Sequence, residues 1–189
     1  MRVLAWGNNS DGQIGNGKTT NQKSPVDITD NIPFEDGEEI ISIEAGSNSS
    51  FILTNLGNIY AWGDNVVGQL GDGSINNDVL MPERTGAGVI GANADPIKQI
   101  GIGYHAMIGL GESGKVYVWG GSSNDNLGLD NQANYIDIPT VLDKLSDKAI
   151  KGVYSKARSM YALAVDGSVY YWGSNKAQAL KRFMPTLTC

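Results

Sequence analysis

The stretch GLGESGKVYVWGG, residues 109 to 121, decides the fold. Gly109, Gly111 and Gly114 fit the glycine spacing of a dinucleotide fingerprint, and Gly109 with Gly114 and Lys115 fits most of a phosphate loop. Either site needs a helix after the glycines, whose N-terminal amides and dipole hold the anion, and a phosphate loop also needs Ser or Thr after its lysine for magnesium. Here Val116 follows Lys115 and opens VYVW, a β-branched and aromatic run that reads as a strand. The segment is a tight turn that feeds a strand.

That strand is written four times. All four tryptophans lie in Trp-Gly dipeptides, at Trp6, Trp62, Trp119 and Trp172, spaced by 56, 57 and 53 residues. RVLAW, NIYAW, KVYVW and SVYYW keep one register, with Val3, Ile59, Val116 and Val169 three places before each Trp. A second phrase follows in NNSDGQIGNG, DNVVGQLGDG and GSSNDNLGLD, with Gly15, Gly71 and Gly128 nine places beyond their Trp. A glycine recurring at one place in a repeat marks a backbone turn where a Cβ would clash. Pro25, Pro82 and Pro139 come next, where a proline can open an edge strand. Apolar runs then follow at IISIEAG, IKQIGIG and AIKGVYS, each succeeded by SFILTNLG, MIGLGESG or MYALAVDG. Each unit is about four short strands, and a period near fifty residues predicts propeller blades.

Bulk composition agrees. The chain has 189 residues, 25 of them Gly, with 41% hydrophobic and only 18% charged residues, which favours many short strands joined by turns. A net charge of −6 leaves no source for a non-specific nucleic-acid surface. One cysteine, Cys189, excludes an internal disulfide and a cysteine-rich zinc site, and suits a reducing compartment. No apolar run reaches the roughly 18 residues of a membrane span, and MRVLAWGNN lacks a signal-peptide core, so a cytoplasmic protein is expected.

The pattern Gly-X-Val-Tyr-X-Trp-Gly-X-Asn-X-X-Gly-Gln-Leu-Gly, then Pro, then Ala-Gly before a last strand, resembles the repeats of the regulator of chromosome condensation family. DGSVYYWGSN at 166–175, NIYAWGDNVVGQLGDG at 58–73 and IEAGSNSSFILTNLG at 43–57 carry it best, and it covers nearly the whole chain. The resemblance implies a β-propeller, seven-bladed in the family, used chiefly to bind proteins. The expected fold is all-β: a partial propeller of three four-stranded blades plus one extra strand or half blade, open or closed by oligomerisation. It forms one domain over 1–189, with approximate repeats 1–57, 58–114 and 115–167 and a partial fourth at 168–189.

Three departures from the family stand out. Its usual histidine, four places before the leucine of the last strand, is replaced by Ser49, Ala106 and Ser159, while His105 sits one place early and should face the opposite way. WGSNKAQALKRF in the fourth copy has lost both glycines of the Gly-Gln-Leu-Gly phrase, and so reads as only the start of a blade. Three repeats and a fraction also do not close a ring of four to eight blades. A second copy would complete it if the last Trp strand of one chain filled a blade of the next.

Chemistry is sparse. His105 and Cys189 have no plausible triad partner in sequence. Asp64, Asp72, Asp78, Asp125, Asp130 and Asp137 lack calcium-loop spacing and read as turn formers in Gly-rich segments. No cofactor, metal or catalytic residue is expected, and the chain is read as non-enzymatic. The segments that break the repeat, NIPFEDGEE at 31–39 and GAGVIGANADP at 86–96, are either neutral length variation or binding loops. On the second reading the partner-binding residues are Phe34, Glu35 and Asp36, the apolar pair Val66 and Val67, and Asp95, Tyr104 and His105. The function expected is a protein-interaction platform; the alternative is a guanine-nucleotide exchange factor acting on a small GTPase, as in some relatives.

Overall fold

The computed structural model describes residues 2–86, 88–122, 126–129 and 133–173 and a strand at 181–183; Cys189, Asp125, Asp130 and the stretch 174–180 lie outside the described residues. The strands are β1 Leu4–Gly7, β2 Gln22–Asp27, β3 Ile40–Ala45, β4 Ser49–Thr54, β5 Ile59–Gly63, β6 Val79–Arg84, β7 Ile97–Ile102, β8 Ala106–Gly111, β9 Val116–Gly121, β10 Tyr135–Val141, β11 Ile150–Lys156, β12 Ser159–Ala164, β13 Val169–Gly173 and β14 Lys181–Phe183. The sheets are β1-β2, β3-β4-β5-β6, β7-β8-β9-β10 and β11-β12-β13-β14. The chain is therefore all-β, an open arc of three full blades and one half blade. The first strands of the last two blades pack together, β7 against β11, while β7 meets the blade before it through β4.

The opening segment behaves as the strand pattern requires. Gly111 and Gly114 form the turn between β8 and β9, where the Gly114 N–H donates to the Gly111 carbonyl at 3.0 Å and the Gly111 N–H to the Lys115 carbonyl at 2.9 Å. Gly114 supplies a φ of +85°.

The blades are out of phase with the sequence repeat. Each full sheet takes two strands from one copy and its Trp and Pro strands from the next. The half blade is consequently at the N-terminal end, and the fourth copy, expected to begin a new blade, instead completes the third as β13 and β14. Its Trp strand, β13, is hydrogen-bonded on both sides, to β12 and β14, so it is not free to fill a blade of a second chain. The prolines also sit differently from expectation. Pro25, Pro82 and Pro139 lie inside the outermost strands, each within an interruption of the ladder, where a missing N–H costs no pairing.

Adjacent repeats are locked by the tryptophans. Trp62, Trp119 and Trp172 are at most 4% exposed, and each indole lies over the glycine nine places beyond the previous Trp. A Cβ on Gly15 or Gly71 would sit 2.8 Å from the next indole's Nε1, and one on Gly128 would sit 2.9 Å from that of Trp172. The Trp62 indole N–H donates to the Gln13 carbonyl at 2.8 Å, and that of Trp119 to the Gln69 carbonyl at 3.0 Å. The receiving loops are held by buried asparagines. The Asn9 side chain accepts from the Ile14 N–H at 2.9 Å and donates to the Lys18 carbonyl at 2.6 Å. Asn65 likewise accepts from Leu70 at 3.1 Å and donates to the Ser74 carbonyl at 3.2 Å.

Two alanine substitutions separate backbone strain from this lock. Gly37 and Gly71 both have positive φ, but a Cβ on Gly37 meets nothing within 4 Å. Urea unfolding should show Gly37→Ala costing about 1 kcal/mol, the usual left-handed penalty. Gly71→Ala should cost about 3 kcal/mol, because overpacking against Trp119 adds to that penalty.

Candidate functional site

The strand order sorts the loops to two ends of the arc. At one end lie the β2–β3, β4–β5, β6–β7, β8–β9 and β12–β13 connections, which hold Phe34, Glu35, Asp36 and Asp95. At the other lie β3–β4, β5–β6, β7–β8 and β11–β12, which hold Val66, Val67, Tyr104 and His105. The eight residues singled out from sequence thus form two groups at opposite ends of the strands.

The first group is tied into the fold. Phe34 packs edge-on against Tyr60 at 5.3 Å between ring centres, Glu35 pairs with Arg84, and Asp36 is exposed. Beside them Glu38 is buried and accepts from the Tyr60 hydroxyl at 2.6 Å, the Asn58 amide at 2.7 Å, the Thr54 hydroxyl at 2.8 Å and the Glu35 N–H at 2.7 Å. Asp95 repeats this arrangement one blade on. It accepts from the Tyr117 hydroxyl at 2.9 Å, the Ser113 N–H at 3.0 Å and the Ser113 hydroxyl. Glu38 and Asp95 both stand two residues before the first strand of a blade, and their tyrosines two residues before a Trp. Each pair is a latch between the start of a blade and its third strand. Asn58 joins the two inserted segments, since its amide nitrogen donates to Glu38 and its oxygen accepts from the Ala92 N–H at 2.9 Å.

Burial works to raise the Glu38 carboxyl, but the hydrogen bonds from Tyr60, the Glu35 backbone, Asn58 and Thr54 outweigh it and hold the group below its usual value. Asp95 is also lowered, with burial again opposed by Ser113, Tyr117 and the charge of Lys115. Burial and the adjoining carboxylate raise both phenols, Tyr117 to about 12.

The second group meets on one surface. Val67 and the His105 Cβ both lie over Gly121, and Val66 is exposed beside them. His105 Nδ1 is 3.3 Å from the Gln69 amide nitrogen and 3.8 Å from an Asp64 carboxylate oxygen. Its ring packs edge-on against Tyr104 at 4.2 Å, and the Arg158 guanidinium lies over the other ring at 5.2 Å. The Tyr104 N–H donates to the Ala157 carbonyl at 2.6 Å, so the β7–β8 and β11–β12 hairpins are joined directly. Tyr104 remains 49% exposed, at the edge of an open cleft of about 440 Å³ that Ala157, Arg158 and Ser159 also line. Ala106, next in sequence to His105, is buried and opens β8, whereas His105 lies in the bend before that strand and not in a strand as expected.

Sequence reasoning missed Arg158, Asp64 and Gln69 as members of this surface. A signal for Arg158 exists: Asn48, His105 and Arg158 occupy the same slot, immediately before the second strand of each blade, and differ in every copy. Nearby, burial together with the charges of Asp11 and Asp64 raises the Asp78 carboxyl. Among the described residues no three His, Cys, Asp or Glu side chains are placed to hold a metal ion, and no helix is long and apolar enough to cross a membrane.

The sequence pattern described as the regulator of chromosome condensation (RCC1) repeat matches residues 2–53 and, in a second form, residues 40–69. The ultraviolet-B receptor UVR8 of Arabidopsis thaliana is 33% identical over 174 residues, 92% of this chain and 37% of its own length. The chain belongs to the RCC1-type repeat proteins. The secretion-regulating guanine nucleotide exchange factor of Mus musculus is 28% identical over 187 residues, 97% of this chain and 38% of that protein. Prp20p of Saccharomyces cerevisiae, whose structure is described with its binding to Gsp1p and histones, superposes with a TM-score of 0.79 at 21% identity, over 99% of this chain and 47% of that one. The chain thus spans less than half the length of each. RCC1-type repeats therefore build both surfaces, one by latches within single blades and the other by residues that vary between copies.

The latches set a pH dependence. Both carboxylates are lowered in the folded state, so their contribution to stability is complete above about pH 5 and is lost as pH falls through their folded-state values. The phenols are raised, so theirs is complete below about pH 10 and lost as pH rises beyond it. Thermal unfolding against pH should fall away on both sides. Glu38→Gln with Asp95→Asn should flatten the acid limb.

Proposed function

We propose that this arc is a non-catalytic protein-interaction platform of the cytoplasm, and that it binds its partner through the surface built by Tyr104, His105 and Arg158, with Val66 and Val67 at its rim. The observation that carries this reading is the half-exposed Tyr104 ring, held between an imidazole and a guanidinium on two joined hairpins. Aromatic and arginine side chains dominate the energetics of protein interfaces, and a ring already fixed in place loses little freedom on binding. Among the described residues, the His105 ring meets Asp64, Gln69 and Tyr104, none of them a serine or cysteine nucleophile. The other end, with Phe34, Glu35 and Asp36, is a weaker contact surface, because Phe34 and Glu35 are engaged by Tyr60 and Arg84 and Asp95 is used by its latch.

A second reading is guanine-nucleotide exchange on a small GTPase, and the likeness to the secretion-regulating exchange factor favours it. Under both readings the partner is a protein.

Affinity capture with the whole chain as bait tests the first reading. Tyr104→Ala should weaken capture of the specific partner by at least tenfold while leaving the melting temperature within about 2 °C, since the ring is largely outside the core. A partner captured equally well by wild type and Tyr104→Ala would place the interface elsewhere. Nucleotide release from small GTPases, accelerated at catalytic concentrations of the chain, would favour the exchange reading instead.

A further inference from the structure

The three tryptophan joints are not equal. In the first two the indole N–H donates to the carbonyl of Gln13 or Gln69, and the same glutamine's side chain ties its own loop. Gln13 Oε1 accepts from the Asp11 N–H at 3.0 Å, and Gln69 Oε1 from the Val67 N–H at 2.9 Å. The third joint, between the second and third full blades, has Asn126 in that slot and Ser122 in the slot of Asn9 and Asn65. Asparagine is shorter than glutamine by a methylene. Asn126 Oδ1 and Trp172 Nε1 are both buried and, among the described residues, neither has a hydrogen-bond partner. Each orphaned atom burdens the seated indole with the desolvation of a polar group and no bond in return.

The same end of the third blade carries backbone strain. Ala157 and Arg158 form the turn between β11 and β12, and Ala157 has a φ of +53°, which Ser47 and Tyr104 in the corresponding turns do not share. This turn lies against the indole's own strand, since a Cβ on Gly173, next to Trp172, would sit 2.2 Å from the Arg158 carbonyl. On its other side it holds Tyr104 of the second blade, through the Ala157 carbonyl and the Arg158 guanidinium. Contacts thus run unbroken from Gly128 through Trp172, Gly173 and Arg158 to Tyr104. A separate tie holds β11 to β7, where the Val153 N–H donates to Gln99 Oε1 at 3.0 Å. Orphaned polar atoms and strained residues cluster at ligand clamps and switches, and here both fall in the one joint that borders the Tyr104 surface.

We propose that this joint is a conformational switch coupled to the surface of Tyr104 and Arg158. In the free chain Trp172 leaves and regains its seat on Gly128 while β11 stays on β7, and a protein that holds Arg158 against Tyr104 keeps the indole seated. The partner's part in this rests on the binding role proposed for that surface.

Exchange of the indole N–H protons, followed by nuclear magnetic resonance in the whole chain, reads the joint directly. The Trp172 proton should exchange at least tenfold faster than those of Trp62 and Trp119. Ser122→Asn with Asn126→Gln writes the loop of the first two joints into the third, and should slow that proton at least tenfold while leaving Trp62 and Trp119 unchanged. By reciprocity, Tyr104→Ala, which removes the ring beneath Arg158, should speed the Trp172 proton at least threefold and spare the other two. The switch is overturned if Trp172 is as protected as Trp119 in the wild type, or if the double variant leaves its exchange unchanged. Its coupling to the surface is overturned if Tyr104→Ala has no effect on that proton. Affinity capture with Tyr104→Ala judges the surface as an interface and these rates judge the joint, so either fails without the other.

Discussion

An indole seated on a glycine of the preceding repeat is the contact on which the architecture depends. Trp62 on Gly15, Trp119 on Gly71 and Trp172 on Gly128 bury the largest side chain of each repeat against the backbone of its neighbour. The two constraints are inseparable. A flat aromatic ring reaches the backbone of the next unit only if that unit offers no Cβ, and the left-handed φ at the same glycine turns the loop beneath the ring. A single repeat therefore has no way to bury its own tryptophan, and Trp6, over which no described loop lies, is 61% exposed. Stability in such an array comes from nearest-neighbour interfaces more than from any one unit.

That dependence explains what the sequence could and could not reveal. The spacing of four Trp-Gly dipeptides fixes the period, and the β-branched residue before each Trp with the glycine turn ahead of it fixes the strand identity. Phase is different. A tandem pattern looks the same wherever counting starts, whereas a sheet boundary is set by which strand edges are hydrogen-bonded. In this chain β4 and β5 pair across the Gly57 turn, while β2 and β3 belong to different sheets. Nothing in SPVD or IISIEA marks that break. The same limit hid the prolines' true position, because a proline at a ladder interruption and one at a strand start obey the same rule about the missing N–H.

The candidate surface was legible only in part, for a related reason. Val66, Val67, Tyr104 and His105 depart from the repeat, and the structure brings them together because they fall in loops at one end of adjacent blades. Asp95 departs from nothing. It sits in an inserted segment, but the slot it fills is that of Glu38, and both carboxylates serve a tyrosine of the repeat. Departure from the neighbouring copies separates the two classes better than membership of an insertion. By that measure Arg158 was as readable as His105, since Asn48, His105 and Arg158 share a position that no two copies fill alike.

The two outermost faces of the described arc differ in their chemistry. On the last blade Tyr154 pairs across strands with Tyr161, and Tyr161 with Tyr171. In the two blades before it, the slots of Tyr161 and Tyr171 hold Phe51 and Ala61, then Ile108 and Val118, all of which are essentially buried by the next blade. Tyrosine keeps an apolar ring for its own sheet and a hydroxyl for water, so a face built of it tolerates exposure without becoming a bare aliphatic patch. At the N-terminal end there is no such substitution: Leu4 and Trp6 on the half blade and Ile41 and Ile43 on the first full blade are all exposed and all carbon-rich. An edge finished in tyrosine and an edge left in leucine, tryptophan and isoleucine differ in what water costs them.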